Sequence, residues 1–216
     1  MRCLVTAGPT FEPLDAVRRL TNFSTGRLGS ELVNFLTARG HEVTLFLGQS
    51  ATYRHEPHAR HFQTFTTTKD LAERLEARAG RLIEAVFHAA AVSDFSFGKI
   101  WQRSPEGELK EIKSGKLSTR DGTLLAELTP TPKIIAQLRE WFPNARLIGW
   151  KYEVDGDQPG VIRLAQAQIR ECRTDACVAN GAAYGPGFGL VTPEGSCADF
   201  RDTATLFEAL EQFIRH

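Results

Sequence analysis

The chain has 216 residues, 42% of them hydrophobic, which suits one domain around one core. Twenty-six basic residues balance twenty-six acidic ones, so no overall field draws the molecule to nucleic acid or to a membrane surface, and any anion must be held locally. No apolar run approaches the roughly 20 residues that span a bilayer. The four cysteines, Cys3, Cys172, Cys177 and Cys197, make no CxxC pair, and residues 1–7 read as a buried strand rather than a signal peptide. The expectation is a single cytoplasmic domain over 1–216.

In chain order, short apolar runs at 3–7, 43–47, 85–89, 146–150 and 176–179 read as buried strands of a parallel sheet. Between them lie amphipathic helical patterns. The first, 27–39, carries Leu28, Leu32, Val33, Phe35 and Leu36 on one face and stops at Gly40. Residues 69–81, 132–141, 160–173 and 202–215 follow suit, with Pro132 suited to a first helical turn. Strand alternating with helix predicts an α/β fold, a Rossmann-like, doubly wound and mostly parallel sheet. From about 96 to 130 the pattern breaks into an excursion. There 109–119 and 123–128 read as two strands of a protruding β-hairpin turning at 120–122, a flap suited to function or dimerisation. A later hairpin is expected over 189–200. The triplet His55, His58 and His61 has metal-like spacing, but it lies in an irregular polar stretch without an acidic partner, so no protein metal site is assigned.

The first strand runs into Thr6-Ala-Gly8-Pro-Thr10, and a second glycine pair, Gly26 and Gly29, opens the next helix. Ligands of open α/β sheets sit beyond the strands' carboxyl ends, and a helix N-terminus offers unpaired N–H groups to an anion. Gly8, Gly26 and Gly29 would let the backbone approach a phosphate, with Ser24 and Thr25 adding hydroxyls. The spacing is neither GxGxxG nor GxxxxGK[ST], which supports neither a nicotinamide or flavin oxidoreductase nor an ordinary P-loop enzyme.

Five motifs then occur in order: Gly8-Pro-Thr-Phe-Glu-Pro-Leu-Asp-Ala-Val-Arg18, Asn22-Phe-Ser-Thr-Gly-Arg-Leu-Gly29, Ala89-Ala-Ala-Val-Ser-Asp-Phe95, Lys116-Leu-Ser-Thr119 and Val178-Ala-Asn180. Together they resemble phosphopantothenoylcysteine synthetase, the ligase of coenzyme A biosynthesis, over nearly the whole chain. The resemblance implies that 4'-phosphopantothenate and cysteine are joined through an acyl-nucleotide intermediate, with CTP or ATP as co-substrate and Mg2+ arriving on its phosphates. It also implies a homodimer. The family is often fused behind a flavin-dependent decarboxylase; no flavin is expected on this chain, and a separate decarboxylase would be a possible associate.

Residue by residue, the resemblance implies that Gly8, Ser24, Gly26, Gly29 and Asn180 hold the nucleotide, with Trp150 flanking its base. Asn22 would orient the reacting carboxylate or acyl phosphate, since an amide donates without adding charge. Ala90, Ala91 and Asp94 would line the pantothenate pocket. Lys116 would be the catalytic lysine on the strand leading the flap, with Lys113 its rival, and Arg18 would reach a neighbouring subunit's substrate phosphate. Two lysines implied for the helix before Val178-Ala-Asn180 are replaced by Gln168 and Cys172, and Lys151 is a candidate to supply the missing charge. That departure keeps a second reading open, a divergent or non-catalytic nucleotide-binding relative.

Overall fold

A computed structural model describes residues 1–113, 115–118 and 122–215. The chain opens with β1 (Arg2–Ala7), a short hairpin of β2 (Phe11–Pro13) and β3 (Arg19–Thr21), then α1 (Arg27–Ala38) and β4 (Glu42–Gly48). Next come β5 (His61–Phe65), α2 (Thr68–Glu76) and β6 (Ala85–His88). The excursion holds β7 (Phe95–Arg103), β8 (Leu109–Glu111) and β9 (Thr123–Pro130). After it come α3 (Ile134–Trp141), β10 (Arg146–Tyr152), α4 (Gln158–Cys172), β11 (Ala176–Asn180), β12 (Phe188–Val191), β13 (Cys197–Phe200) and α5 (Thr203–Arg215).

The central sheet has eight strands in the order β13-β12-β11-β10-β6-β1-β4-β5. The six from β11 to β5 are parallel, and β12 and β13 add an antiparallel edge. Alternate side chains leave a strand on opposite faces. Thus Cys3, Val5 and Ala7 join the core under α1 and α5, whereas Leu4 joins Leu71, Leu75, Ile134 and Leu138 under α2 and α3. Cys177 and Ala179 meet Val161, Ala165 and Ile169 of α4 in the same way. Helices therefore cover both faces, as the strand–helix alternation predicts.

Chain direction reverses beside β1: the chain steps outward through β4 and β5, then returns to β6 on the other flank. Such a switch point leaves a crevice at the strands' carboxyl ends. Helix starts are fixed locally, as where Thr67 accepts from the Asp70 N–H at 3.1 Å and Asp157 from that of Gly160 at 2.8 Å. Pro132 falls outside α3, ahead of its N-cap Lys133, rather than within the first turn.

Two expectations change. The strand β5 went unread because four of its five residues are exposed and only Phe65 is buried, so no apolar run marks this edge strand. In the excursion, β8 and β9, which fall within the expected 109–119 and 123–128, do not pair with each other, and the first strand stops at Glu111. Both lie against β7, which forms the centre of a three-stranded antiparallel sheet, β8-β7-β9. The turn at Ser104–Gly107, with Gly107 at φ 93°, returns the chain along β7, so β8 takes one edge and β9 the other. Of the expected turn at 120–122, residues 120 and 121 lie outside the described residues, as does Thr119. The later hairpin is present as β12 and β13.

Candidate functional site

The site is built where β1 and β6 end side by side. Ala91 N–H donates to the Gly8 carbonyl at 3.0 Å, and Thr10 N–H donates to the Ala91 carbonyl at 3.1 Å. Gly8 sits at φ 77°, and a Cβ there would lie 3.0 Å from the Ala51 Cβ, so the turn needs glycine. Asn22, after the β2–β3 hairpin, donates its side-chain amide to the same Ala91 carbonyl at 3.1 Å. Gly8, Asn22, Ala90 and Ala91 are therefore gathered at one edge, as the motifs imply.

Beside them α1 begins at Gly26, an N-cap at φ 79° with no side-chain cap and no acidic residue in the first turn. The Arg27 N–H donates to Thr25 Oγ1 at 3.3 Å, and the N–H groups after it keep their partial positive charge for an incoming anion. Gly29 brings this helix end close to β1, because a Cβ there would lie 2.5 Å from the Ala7 Cβ. Ser24 is half-buried in the same loop. Trp150 lies near the carboxyl end of β10, two residues before Tyr152, and Asn180 ends the neighbouring strand β11. The Trp150 indole Nε1 and the Asn180 Oδ1 are both buried without a hydrogen-bond partner, a costly arrangement.

Other charges have partners in the chain. Asp94 is exposed and pairs with Lys133 at 2.5 Å, and Lys151 pairs with Glu153 at 2.9 Å at the end of β10. Arg18 pairs with Asp15 at 2.5 Å and donates to the Leu117 carbonyl at 2.8 Å, so a reach into a neighbouring subunit requires that pair to open. The Arg18 guanidinium beside it holds the Asp15 carboxyl well below the usual carboxylate range, with the backbone N–H groups of Val17, Leu117 and Arg18 adding to it. Lys116 is exposed in a bend past the end of β8 rather than on a strand, which corrects its expected setting. Lys113 is exposed and faces Glu111 at 3.7 Å.

Gln168 and Cys172 lie on the inner stripe of α4 with Ala165 and Ile169. The Gln168 amide donates to the Cys177 sulfur at 3.2 Å, and Cys172 is buried. Moreover, α4 starts at the sheet's carboxyl edge and runs away from it, so Cys172, some 20 Å along its 15 residues, is remote from the crevice. Asp15 and Lys133 were passed over in the sequence; the Asp15-x-x-Arg18 spacing, typical of a side-chain-capped turn, was the available signal.

Among the described residues no group of three or more His, Cys, Asp or Glu side chains could hold a metal, His55, His58 and His61 included, and no helix is long and apolar enough to cross a membrane.

Comparison with known proteins agrees with this geometry. The family model of the DNA/pantothenate metabolism flavoprotein C-terminal domain matches residues 1–207. The coenzyme A biosynthesis bifunctional protein CoaBC of Thermococcus kodakarensis is 34% identical over 180 residues, 83% of this chain and 41% of that protein. A cysteine/cysteine sulfinic acid decarboxylase from an unknown prokaryotic organism is 32% identical over 211 residues, 96% of this chain and 53% of that protein. The chain thus spans about half the length of the curated relatives it matches. The DNA/pantothenate metabolism flavoprotein of Streptococcus pneumoniae superposes with a TM-score of 0.86 at 28% identity, over 100% of this chain and 98% of that one. A Cab2 H337A mutant in complex with phosphopantothenate-cysteine shares the fold, with a TM-score of 0.75 at 19% identity over 99% of this chain and 84% of that one.

Proposed function

We propose a function from one premise: the chain belongs to the DNA/pantothenate metabolism flavoprotein C-terminal domain family. It is a phosphopantothenoylcysteine synthetase, a nucleotide-dependent ligase of coenzyme A biosynthesis. In the first step a carboxylate oxygen of 4'-phosphopantothenate attacks the α-phosphorus of CTP or ATP, and pyrophosphate leaves. In the second the cysteine amine attacks the acyl carbon, the nucleoside monophosphate leaves with its oxygen, and the amine proton passes to solvent.

The observation that carries this reading is the lacing of Gly8, Ala91 and Asn22 at the switch point, which puts a neutral amide beside an uncapped helix start. Activating a carboxylate on a nucleotide crowds anions together, and backbone N–H groups offset that repulsion without moving. Gly8, Ser24, Gly26 and Gly29 receive the phosphates. Trp150 flanks the base and Asn180 holds the nucleotide. Asn22 orients the acid, Ala90 and Ala91 leave room for the pantothenate arm, and Asp94 accepts from it. Lys116 meets the charge that develops during transfer. In a homodimer the partner subunit's Arg18 binds the substrate phosphate. Magnesium enters as part of the nucleotide substrate.

A pyrophosphate-release assay crossing CTP, ATP, GTP and UTP with and without 4'-phosphopantothenate and cysteine tests the reading. Release should need 4'-phosphopantothenate and one preferred nucleotide, and 4'-phosphopantothenoylcysteine should form only when cysteine is added. Nucleotide binding without pyrophosphate release under any combination would instead mark a non-catalytic relative.

A further inference from the structure

Lys116 stands in a stretch that belongs to no strand, yet its neighbours are tied down on both sides. On the near side the Gly115 carbonyl accepts from the Ala16 N–H at 2.9 Å. On the far side the Leu117 N–H donates to Asp15 Oδ2 at 3.1 Å, while the Leu117 carbonyl accepts from Arg18 Nη2 at 2.8 Å. The Leu117 side chain is 4% exposed, although Gly115, Lys116 and Ser118 around it are exposed. The two Leu117 tethers converge on one carboxylate, directly and through Arg18, whereas the Gly115 tether is a backbone bond from the next residue, Ala16. The Asp15 side chain is only 1% exposed and also accepts from the N–H groups of Val17 and Arg18, at 2.9 and 2.8 Å, and from Arg18 Nε at 3.0 Å.

The far end of this hairpin is equally fixed. Phe11 N–H donates to the Thr66 carbonyl at 3.0 Å, Thr21 Oγ1 donates to the Thr10 carbonyl at 2.8 Å, and the buried Glu12 accepts from the Thr68 N–H at 2.9 Å. One residue beyond Thr21 comes Asn22, held to Ala91. The hairpin is thus a short, braced arm with Asn22 at its root and the Lys116 segment at its tip. Buried charge-assisted hydrogen bonds are the strong ones, and a buried carboxylate with this many donors can hold only one geometry at low cost.

We propose that Asp15, with Arg18 as its counter-ion, is a positioning residue that fixes the backbone at Leu117, directly after Lys116, relative to Asn22. This rests on the catalytic assignment of Lys116 made above. It also gives Arg18 a task within its own chain, separate from any contact with a neighbouring subunit.

The test combines amide hydrogen exchange with a double-mutant cycle in the full chain. Asp15→Asn keeps the size of the side chain but removes its charge, and Asp15→Ala removes both. In Asp15→Asn the Leu117 amide should exchange at least about tenfold faster, while core amides of β1 and β6 keep their protection. Turnover should fall about tenfold with the nucleotide KM within about twofold, and a similar fall should not recur in a Lys116→Gln background, because the two residues act as one unit. Asp15→Ala should show the same pattern more strongly. Unchanged exchange at Leu117 overturns the clasp. An equal loss in the presence and absence of Lys116 also overturns the proposal, since Asp15 would then act by another route. Wild-type turnover in Lys116→Gln alone removes the lysine assignment and the positioning role with it, a result read without touching Asp15.

Discussion

Asn22 Nδ2 donates to the Ala91 carbonyl at 3.1 Å, joining the segment after the β2–β3 hairpin to the loop that leaves β6. Asn22 is exposed, so its replacement removes little burial, but it stands where a neutral donor adds no charge to an anionic site. Asn22→Asp should lower pyrophosphate release by roughly 100-fold, because a carboxylate there repels both the Ala91 carbonyl and the substrate anions. The unfolding temperature should move by only a few degrees. A variant that releases pyrophosphate at the normal rate would take Asn22 out of the reacting centre.

Lys116 and Lys113 can be separated by their surroundings. Lys113 is exposed beside Glu111, an ion pair of the surface kind that contributes little. Lys113→Gln should therefore leave turnover within about twofold, whereas Lys116→Gln should slow it by roughly 1000-fold if its charge meets the transferring phosphate. Single-turnover measurement of pyrophosphate release on both variants decides between them. The reverse ranking would move the catalytic role to Lys113.

The contact between Gly29 and Ala7 gives a purely structural test. A Cβ on Gly29 would lie 2.5 Å from the Ala7 Cβ and 3.4 Å from the Ala7 Cα, both held in the sheet centre. Gly29→Ala should destabilise the protein by about 1–3 kcal/mol, since a well-packed core must shift to admit a methyl group. Ala7→Gly should relieve part of that cost in the double variant, read by urea unfolding. Additive losses would mean that the clash is resolved elsewhere.

These residues also show what the sequence could and could not disclose. Periodicity revealed β1, β4, β6, β10 and β11 because each is buried on both faces, and apolar runs are the trace of such burial. It did not reveal β5, where Phe65 alone is buried, nor the partners of β8 and β9, because an exposed three-stranded sheet has no buried face to fix its register. Glycines at 8, 26 and 29 marked the crevice, since close approach and positive φ leave a residue-level signature. The clasp of Asp15 on Leu117 spans 102 residues and left none. The setting of Gln168 and Cys172 was hidden for a related reason: position in the chain says nothing about which helix face or end a residue occupies until α4 is oriented on the sheet.

His88 ends β6 immediately before Ala89–Ala91 and is buried, with Nδ1 2.9 Å from the Thr6 hydroxyl. The same hydroxyl accepts from the Ala90 N–H at 3.3 Å, so Thr6 links the buried ring to the backbone beside the site. Burial pushes the imidazole down to about 4 from 6.5. Because the folded value lies below the unfolded one, the unfolded chain binds the extra proton first. This contribution to stability is complete above pH 6.5 and is lost as pH falls toward 4. Between pH 6.5 and about 5 the loss from this one residue should approach 2 kcal/mol. Asp15, Asp70 and Glu211 are all held below their ordinary values, and their contributions fade only at lower pH, so they leave this window clear. Urea unfolding across that window, compared between the wild-type chain and His88→Gln, isolates the term: the variant should have the flatter profile. Identical slopes would mean that His88 accepts a proton in the folded chain, with the Thr6 hydroxyl oxygen accepting from the ring.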